Sequence, residues 1–274
     1  MRRLPYLLLI ASGLLFSAHA SLAQRRIASE TALQPEAQVE LALKGNDYLL
    51  AGLSLVAPRN NGGGTFAGGQ VRLGYEHFWT ESWSGGATLR VIGGPENGFG
   101  DLPGQAGNII PGVLLRHTSR VGGFTFGQRL GAEYGTTFDV LSTDIEDRAL
   151  ARLRFDVERY FSAGGKVGFR PRVAYEVAAY LRLQRDLNET KERAIDLGSL
   201  RGEVGLRLSP GVDLTPWGAF QTTYINSLPS FDATGKQVGG GRTNLVIPVV
   251  GLDVRLTLGQ RDALTKRQQL PTQH

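Results

Sequence analysis

Ala151-Arg152-Leu153-Arg154-Phe155-Asp156-Val157-Glu158 alternates apolar and charged residues without exception. Side chains leave a strand on opposite faces in turn, so this octapeptide predicts a strand with one apolar and one fully charged face. A helical period near 3.6 would mix the two classes on every face. The same two-residue period runs through neighbouring segments. Val167, Phe169, Pro171, Val173, Tyr175 and Val177 oppose Arg170, Arg172 and Glu176. Val204, Leu206 and Leu208 oppose Arg201, Glu203 and Arg207, and Pro248 to Leu258 repeats the pattern against Asp253 and Arg255.

The connections between these segments alternate in length. Short ones fall at Thr80–Ser82, Thr118–Gly122, Ser162–Gly165 and Ser209–Gly211. Long ones, rich in Gly, Asn, Asp and Pro, run over Pro58–Gly68, Gly93–Gly107, Thr137–Glu146, Arg185–Ile195 and Asn226–Arg242. Transmembrane β-barrels combine short periplasmic turns with longer extracellular loops. The pattern therefore predicts an all-β, antiparallel, up-and-down transmembrane β-barrel of about ten strands, with twelve as the alternative. Ten strands put both chain ends on the short-turn side. Gln38–Lys44 also alternates; counted as a full strand it makes the number odd and moves the N-terminus to the other side. It is assigned instead as the lower part of a bulged first strand or a periplasmic hairpin arm. Aromatic residues gather near proposed strand ends, among them Phe78, Trp79, Trp83, Tyr134, Tyr160 and Phe161, where interfacial girdles of a barrel lie. Pro111, Pro171, Pro216 and Pro248 fall inside proposed strands. Each lacks a ladder donor, so bulges or breaks are expected there.

Met1-Arg2-Arg3, an uncharged apolar run from Leu4 to Phe16 and the small-residue sites Ala18-His19-Ala20 and Ser21-Leu22-Ala23 form a secretory signal. The predicted organisation is a cleaved signal peptide at 1–23, a periplasmic lead-in at 24–37, the barrel at 38–259 and a polar periplasmic tail at 260–274. No later apolar run is long enough for a membrane helix, which needs about 20 residues. The 274 residues hold 37 glycines and no cysteine. The glycines, well above the usual share of about 7%, suit many turns, and the missing cysteine removes thiol chemistry and disulfides. Net charge is +5 and falls to +3 without the signal. That is too small an excess to suggest nucleic acid.

The signal, the glycine-rich alternating strands and segments such as Arg152–Phe161 resemble the uncharacterised outer-membrane β-barrel proteins of the Bacteroidota type. The resemblance spans nearly all of the mature chain, is one of pattern, and carries no functional residues with it. It implies outer-membrane location after secretion, with outer-membrane lipid and the barrel assembly machinery as partners.

The charged register is the candidate site. It holds Arg72, Glu76, Arg90, Arg129, Glu133, Arg152, Arg154, Asp156, Glu158, Arg170, Arg172, Glu176, Arg201, Glu203, Arg207, Asp253 and Arg255. Inside a narrow barrel such charges must pair. Arg154, Arg172, Glu176 and Glu203 are expected in one network, with Arg154 or Arg201 as the partner of Glu176. Paired throughout, the set is a salt-bridge plug; its arginine excess would otherwise make an anion-favouring constriction. Wide channels need about 16–18 strands, so the plug is favoured. No catalytic, cofactor or metal residues are assigned. His77 and His117 fall at short turns. Arg116-His117-Thr118-Ser119 only superficially matches a His-Ser nucleophile pair, and Asp139, Asp144, Glu146 and Asp147 match no EF-hand spacing. The expected function is a non-enzymatic outer-membrane barrel with a structural, surface-interaction or narrow-channel role. A barrel hydrolase and a soluble periplasmic ligand-binding barrel are the alternatives.

Overall fold

A computed structural model describes residues 25–58, 68–93, 109–136, 148–162, 168–181, 194–235 and 237–259. The expected signal peptide, the tail, most of the long connections and the Asp139–Asp147 acidic group lie outside the described residues. Those described contain no helix. Their strands are β1 (Arg25–Ala28), β2 (Ala32–Ala42), β3 (Tyr48–Pro58), β4 (Gly68–Phe78), β5 (Trp83–Gly93), β6 (Ile109–Val121), β7 (Phe124–Gly135), β8 (Arg148–Arg159), β9 (Phe161–Ser162), β10 (Gly168–Leu181), β11 (Leu197–Ser209), β12 (Val212–Phe231) and β13 (Gln237–Leu258).

Each long strand pairs antiparallel with its predecessor from β2 round to β13, the short β9 continuing the line of β8 beside β10. The sheet then closes on itself. β2 pairs with β13 over Ala32↔Val249 to Leu41↔Leu258, and this seam is parallel. β1 extends the seam at Arg25↔Thr243 to Ala28↔Val246. The result is a closed barrel of eleven long strands. That corrects the expected ten, and it corrects the reading of Gln38–Lys44 as a partial strand or hairpin arm. Strand structure begins at Arg25, so most of the segment expected as a lead-in before Gln38 is also strand. The alternation that runs outward from Gln38 in fact starts at Leu33. Leu33, Pro35, Ala37, Val39 and Leu41 are outward and part-exposed, while Gln34, Glu36, Gln38 and Glu40 are buried inside. An odd count also sends the first and last strands out at opposite ends, not both at the turn end.

A second correction concerns Asn226–Arg242. Read as a long loop, it is instead strand through Phe231 and again from Gln237, closed by a turn at Asp232–Gly235. The arms pair up to Phe231↔Gln237, beyond the last partner of β11 at Thr223, so this hairpin stands out from the loop end of the barrel.

The strand prolines explain an irregularity in the ladders. In an antiparallel pair a residue offers its N–H and C=O to one neighbour only, so a proline weakens one ladder and spares the other. The β6–β7 ladder runs to Gly112↔Glu133 and resumes at Ile109↔Thr136, skipping Pro111. β5–β6 pairs straight through Leu89↔Pro111. The β11–β12 ladder skips Pro216 while β12–β13 keeps Pro216↔Leu252. Pro171 faces the interruption between β8 and β9, and Pro248 faces the extra residue between β1 and β2. The short turns are equally legible. Gly122 and Gly123 both have positive φ, 58° and 83°, the geometry of a two-residue hairpin turn that β-carbons disfavour.

Candidate functional site: the charged lumen

Alternation places the charges inside and the apolar residues outside. Leu53, Val71, Leu73, Val113, Leu130, Phe155, Val173, Leu200, Phe220 and Val250 all face out and are exposed. The inside is layered. At the loop end Ala32, Val56, Ile92, Ile110, Leu150, Ala178, Leu197, Ala219 and Ile247 are buried. They come from nine of the eleven long strands and form a staggered apolar collar.

Below the collar, Glu133 takes Arg90 at 2.6 Å and Arg152 at 2.8 Å. Glu176 takes Arg129 at 2.6 Å and Arg152 at 3.0 Å. Arg154 is the residue opposite Glu176 in register, and it lies 4.0 Å from Asp156. The close ion pairs of Glu176 run to Arg129 and Arg152, while the expected partner Arg154 acts on it at longer range and the alternative, Arg201, is bound to Glu203 and Asp253.

Deeper, Arg172 joins Glu203 at 2.5 Å, Glu158 at 2.8 Å and Asp156 at 3.8 Å. Arg170 also meets Glu158, at 3.4 Å. Arg201 joins Glu203 at 2.6 Å and Asp253 at 2.9 Å. Its guanidinium lies 3.9 Å from the centre of the Trp217 ring, and the Trp217 indole N–H donates to Asp253 at 2.7 Å. Trp217 fills the space left by Gly251, where a β-carbon would collide with the ring. At the turn end Glu76, fully buried, accepts from the Tyr48 hydroxyl, from Ser84 at 2.6 Å, and pairs with Arg116 at 3.4 Å. Arg207 meets Asp213 at 3.2 Å.

The seam strand brings what the sequence reading missed. Glu36 pairs with Arg72 at 3.7 Å, and Glu40 with Arg255 at 3.3 Å, while Gln38 accepts from Arg255 at 3.0 Å. Arg116, Asp213, Tyr48, Ser84 and Trp217 were also missed. The alternation upstream of Gln38 could have revealed Glu36; the odd strand count argued against following it. With these additions the apparent arginine excess nearly vanishes. Among the described side chains, eleven inward arginines face ten inward carboxylates.

A cavity of about 110 Å³ lies at mid-height, lined from nearly every strand. Arg72, Arg90, Arg129, Arg152, Arg154 and Arg201 reach it, against Glu133 and Glu176 alone. Four further carboxylates hold these arginines from outside the lining: Glu36 on Arg72, Asp156 on Arg154, and Glu203 and Asp253 on Arg201.

Both described histidines stand at the turn end. His77 is bound to Asp47 at 2.7 Å, a contact not foreseen from sequence, and the His117 ring packs 4.5 Å from Trp83. Neither lies in the lumen.

No protein-family model matches the chain, and no curated protein does. Among solved structures it is similar to the NanC porin in its rhombohedral crystal form, at 12% identity and a TM-score of 0.34, over 78% of this chain and 93% of that one.

Proposed function

We propose that this chain is a non-enzymatic outer-membrane β-barrel whose lumen is closed by an ionic plug, leaving at most a narrow passage. The observation that carries this is the inverted distribution of polarity. Arginine–carboxylate pairs fill the inside, while leucine, valine and aromatic side chains cover the outside. Large contiguous apolar surface is rare on soluble monomers, whereas a lipid-facing apolar band over a polar interior is the pattern of a membrane barrel. That favours lipid over water as the solvent of the outer face, and so disfavours a soluble periplasmic binding protein. Eleven strands fall between barrels just filled by side chains, at about eight, and water-filled porins, at about 16–18. The apolar collar above the charges narrows the path further, since hydrophobic constrictions resist wetting. The bacterial secretory signal, outer-membrane lipid, the assembly machinery and kinship with the Bacteroidota-type barrels belong to the same proposal.

Two measurements test it. The mature chain, lacking residues 1–20 or 1–23, should fractionate with the outer membrane. In planar bilayers the refolded protein should show no large, steady conductance. Recovery in the soluble periplasmic fraction would overturn the membrane assignment, and porin-sized open channels would overturn the plug.

A further inference from the structure

We infer that the turn-end rim around Arg159 is a docking site for the headgroup of an anionic phospholipid. The inference rests on the proposed membrane placement, and names the lipid chemistry that one point of the outer wall selects. The first observation is register. β8 sends Phe155, Val157 and Arg159 outward, and all three are exposed. Arg159 therefore stands on the apolar wall, at its turn end, and not in the lumen. The inward residue beside it, Glu158, is held by Arg170 at 3.4 Å and Arg172 at 2.8 Å. Among the described residues no carboxylate pairs with Arg159. An arginine facing lipid is expensive at mid-bilayer and nearly free at the interface, where headgroup phosphates lie.

The second observation is that the guanidinium is held in place. Its carbon lies 5.2 Å from the centre of the Phe124 ring and 5.1 Å from that of Phe161. Phe161 in turn stacks on Phe169, with centroids 5.1 Å apart. The ladder builds this arrangement, setting Phe124 opposite Arg159 and Phe169 opposite Phe161. Ring faces attract the cation without neutralising it, and its N–H donors remain available to an oxygen acceptor. A side chain already fixed loses less freedom on binding, and the planar fork matches two phosphate oxygens at once.

The third is the choice of headgroup. A zwitterionic phospholipid brings an ammonium along with its phosphate. No carboxylate is paired at this site to receive it, so the ammonium would sit against the guanidinium and be repelled. An anionic headgroup brings the phosphate alone. The phenyl rings suit the same occupant, since aromatic side chains settle at headgroup level beside the acyl chains. At the same end of the barrel His77 is held by Asp47 at 2.7 Å, so the open cation is a property of this site and not of the rim in general.

The test adds phosphatidylglycerol or phosphatidylcholine of equal chain length to the refolded full chain in detergent, and counts retained lipids by native mass spectrometry. One phosphatidylglycerol should bind in preference to phosphatidylcholine. Arg159→Gln should weaken it by roughly tenfold, the loss of one charge-assisted contact. Phe161→Leu, which changes no charge, should weaken it by about two- to fivefold through the lost ring contact. Lys44→Gln, in another turn at this end, should leave it unchanged. Equal retention of the two lipids overturns the site. So does a loss with Lys44→Gln as large as with Arg159→Gln, which would mean diffuse charge attraction. Displacement of the lipid by inorganic phosphate at matched ionic strength also overturns it, in favour of a free oxyanion. If Arg159→Gln does not fold, Phe161→Leu decides: unchanged binding overturns the inference. Membrane placement is read separately, from insertion of the wild type into phosphatidylcholine vesicles. A chain that inserts but shows no preference loses this site alone, and one that does not insert loses the placement.

Discussion

Replacing Glu176 by glutamine keeps the shape of the side chain and removes its charge. The wild-type carboxylate holds Arg129 at 2.6 Å and Arg152 at 3.0 Å, with its side chain 15% exposed. Removing one partner of a buried ion pair costs about 3–5 kcal/mol, most of it the penalty on the charge left behind. Two features lower that figure. Arg152 keeps Glu133 at 2.8 Å, and the glutamine carbonyl still accepts one hydrogen bond. The expected loss is therefore about 3 kcal/mol, read as a fall in the urea midpoint of the protein refolded into lipid vesicles. A double-mutant cycle adds resolution. Coupling between Glu176 and Arg129 should reach about 1–3 kcal/mol, and exceed that between Glu176 and Arg154. Removing Arg154 also relieves its repulsion with Arg129, so part of its loss is offset. Unchanged midpoints for Glu176→Gln and Arg129→Gln, with no coupling, would refute the reasoning and make the lumen a hydrated pore.

Three further outcomes follow from the same geometry. Val173→Arg, on an outward position 58% exposed, should cost roughly 2–4 kcal/mol in lipid, whereas Ala233→Arg in the exposed hairpin turn should be neutral; equal tolerance in vesicle refolding would argue for an aqueous outer face. Ala37→Cys with Val254→Cys, partners across the parallel seam, should form a disulfide in this cysteine-free chain, since adjacent strands lie about 4.8 Å apart; failure to cross-link under oxidising conditions would detach β2 from the barrel. Gly123→Val should destabilise by about 1–2 kcal/mol, because its φ of 83° suits no β-branched residue, and an unchanged midpoint would contradict the tight turn.

The fold class was legible wherever one face is charged throughout. β8, β10 and β11 declare their period because most inward positions carry Arg, Asp or Glu, or a small residue that makes room for one, with Leu150 and Leu197 the apolar exceptions at the loop end. β3 declares itself less well. Tyr48, Leu50 and Val56 face inward and are apolar, so inside and outside look alike along that strand. The first strand was misread for a topological reason. Composition shows that Gln34–Leu41 alternates, but whether a strand closes a barrel depends on a partner 217 residues away in sequence, which no local pattern reports. The extended hairpin was hidden by its own composition. Ser, Pro and Gly between Asn226 and Arg242 signal a loop, yet the two arms pair with each other up to Phe231↔Gln237, across register shifts at Ser227–Ser230 and Ser230–Phe231. The lumen charges were assigned to the right face by period alone. Their partners were not, because long guanidinium side chains reach past the in-register neighbour to the next strand, as Arg129 does to Glu176.

The parallel seam gives the molecule a direction that an even-stranded barrel lacks. β2 descends from the loop end and β13 descends beside it, so the chain enters at one rim and leaves at the other. A peptide fused ahead of Arg25 would emerge beside the projecting hairpin, and one fused after Leu258 beside the short turns. In a membrane these are different compartments. In the proposed membrane placement, labels fused at Arg25 and at Leu258 would thus face different solvents and report which way the barrel was inserted.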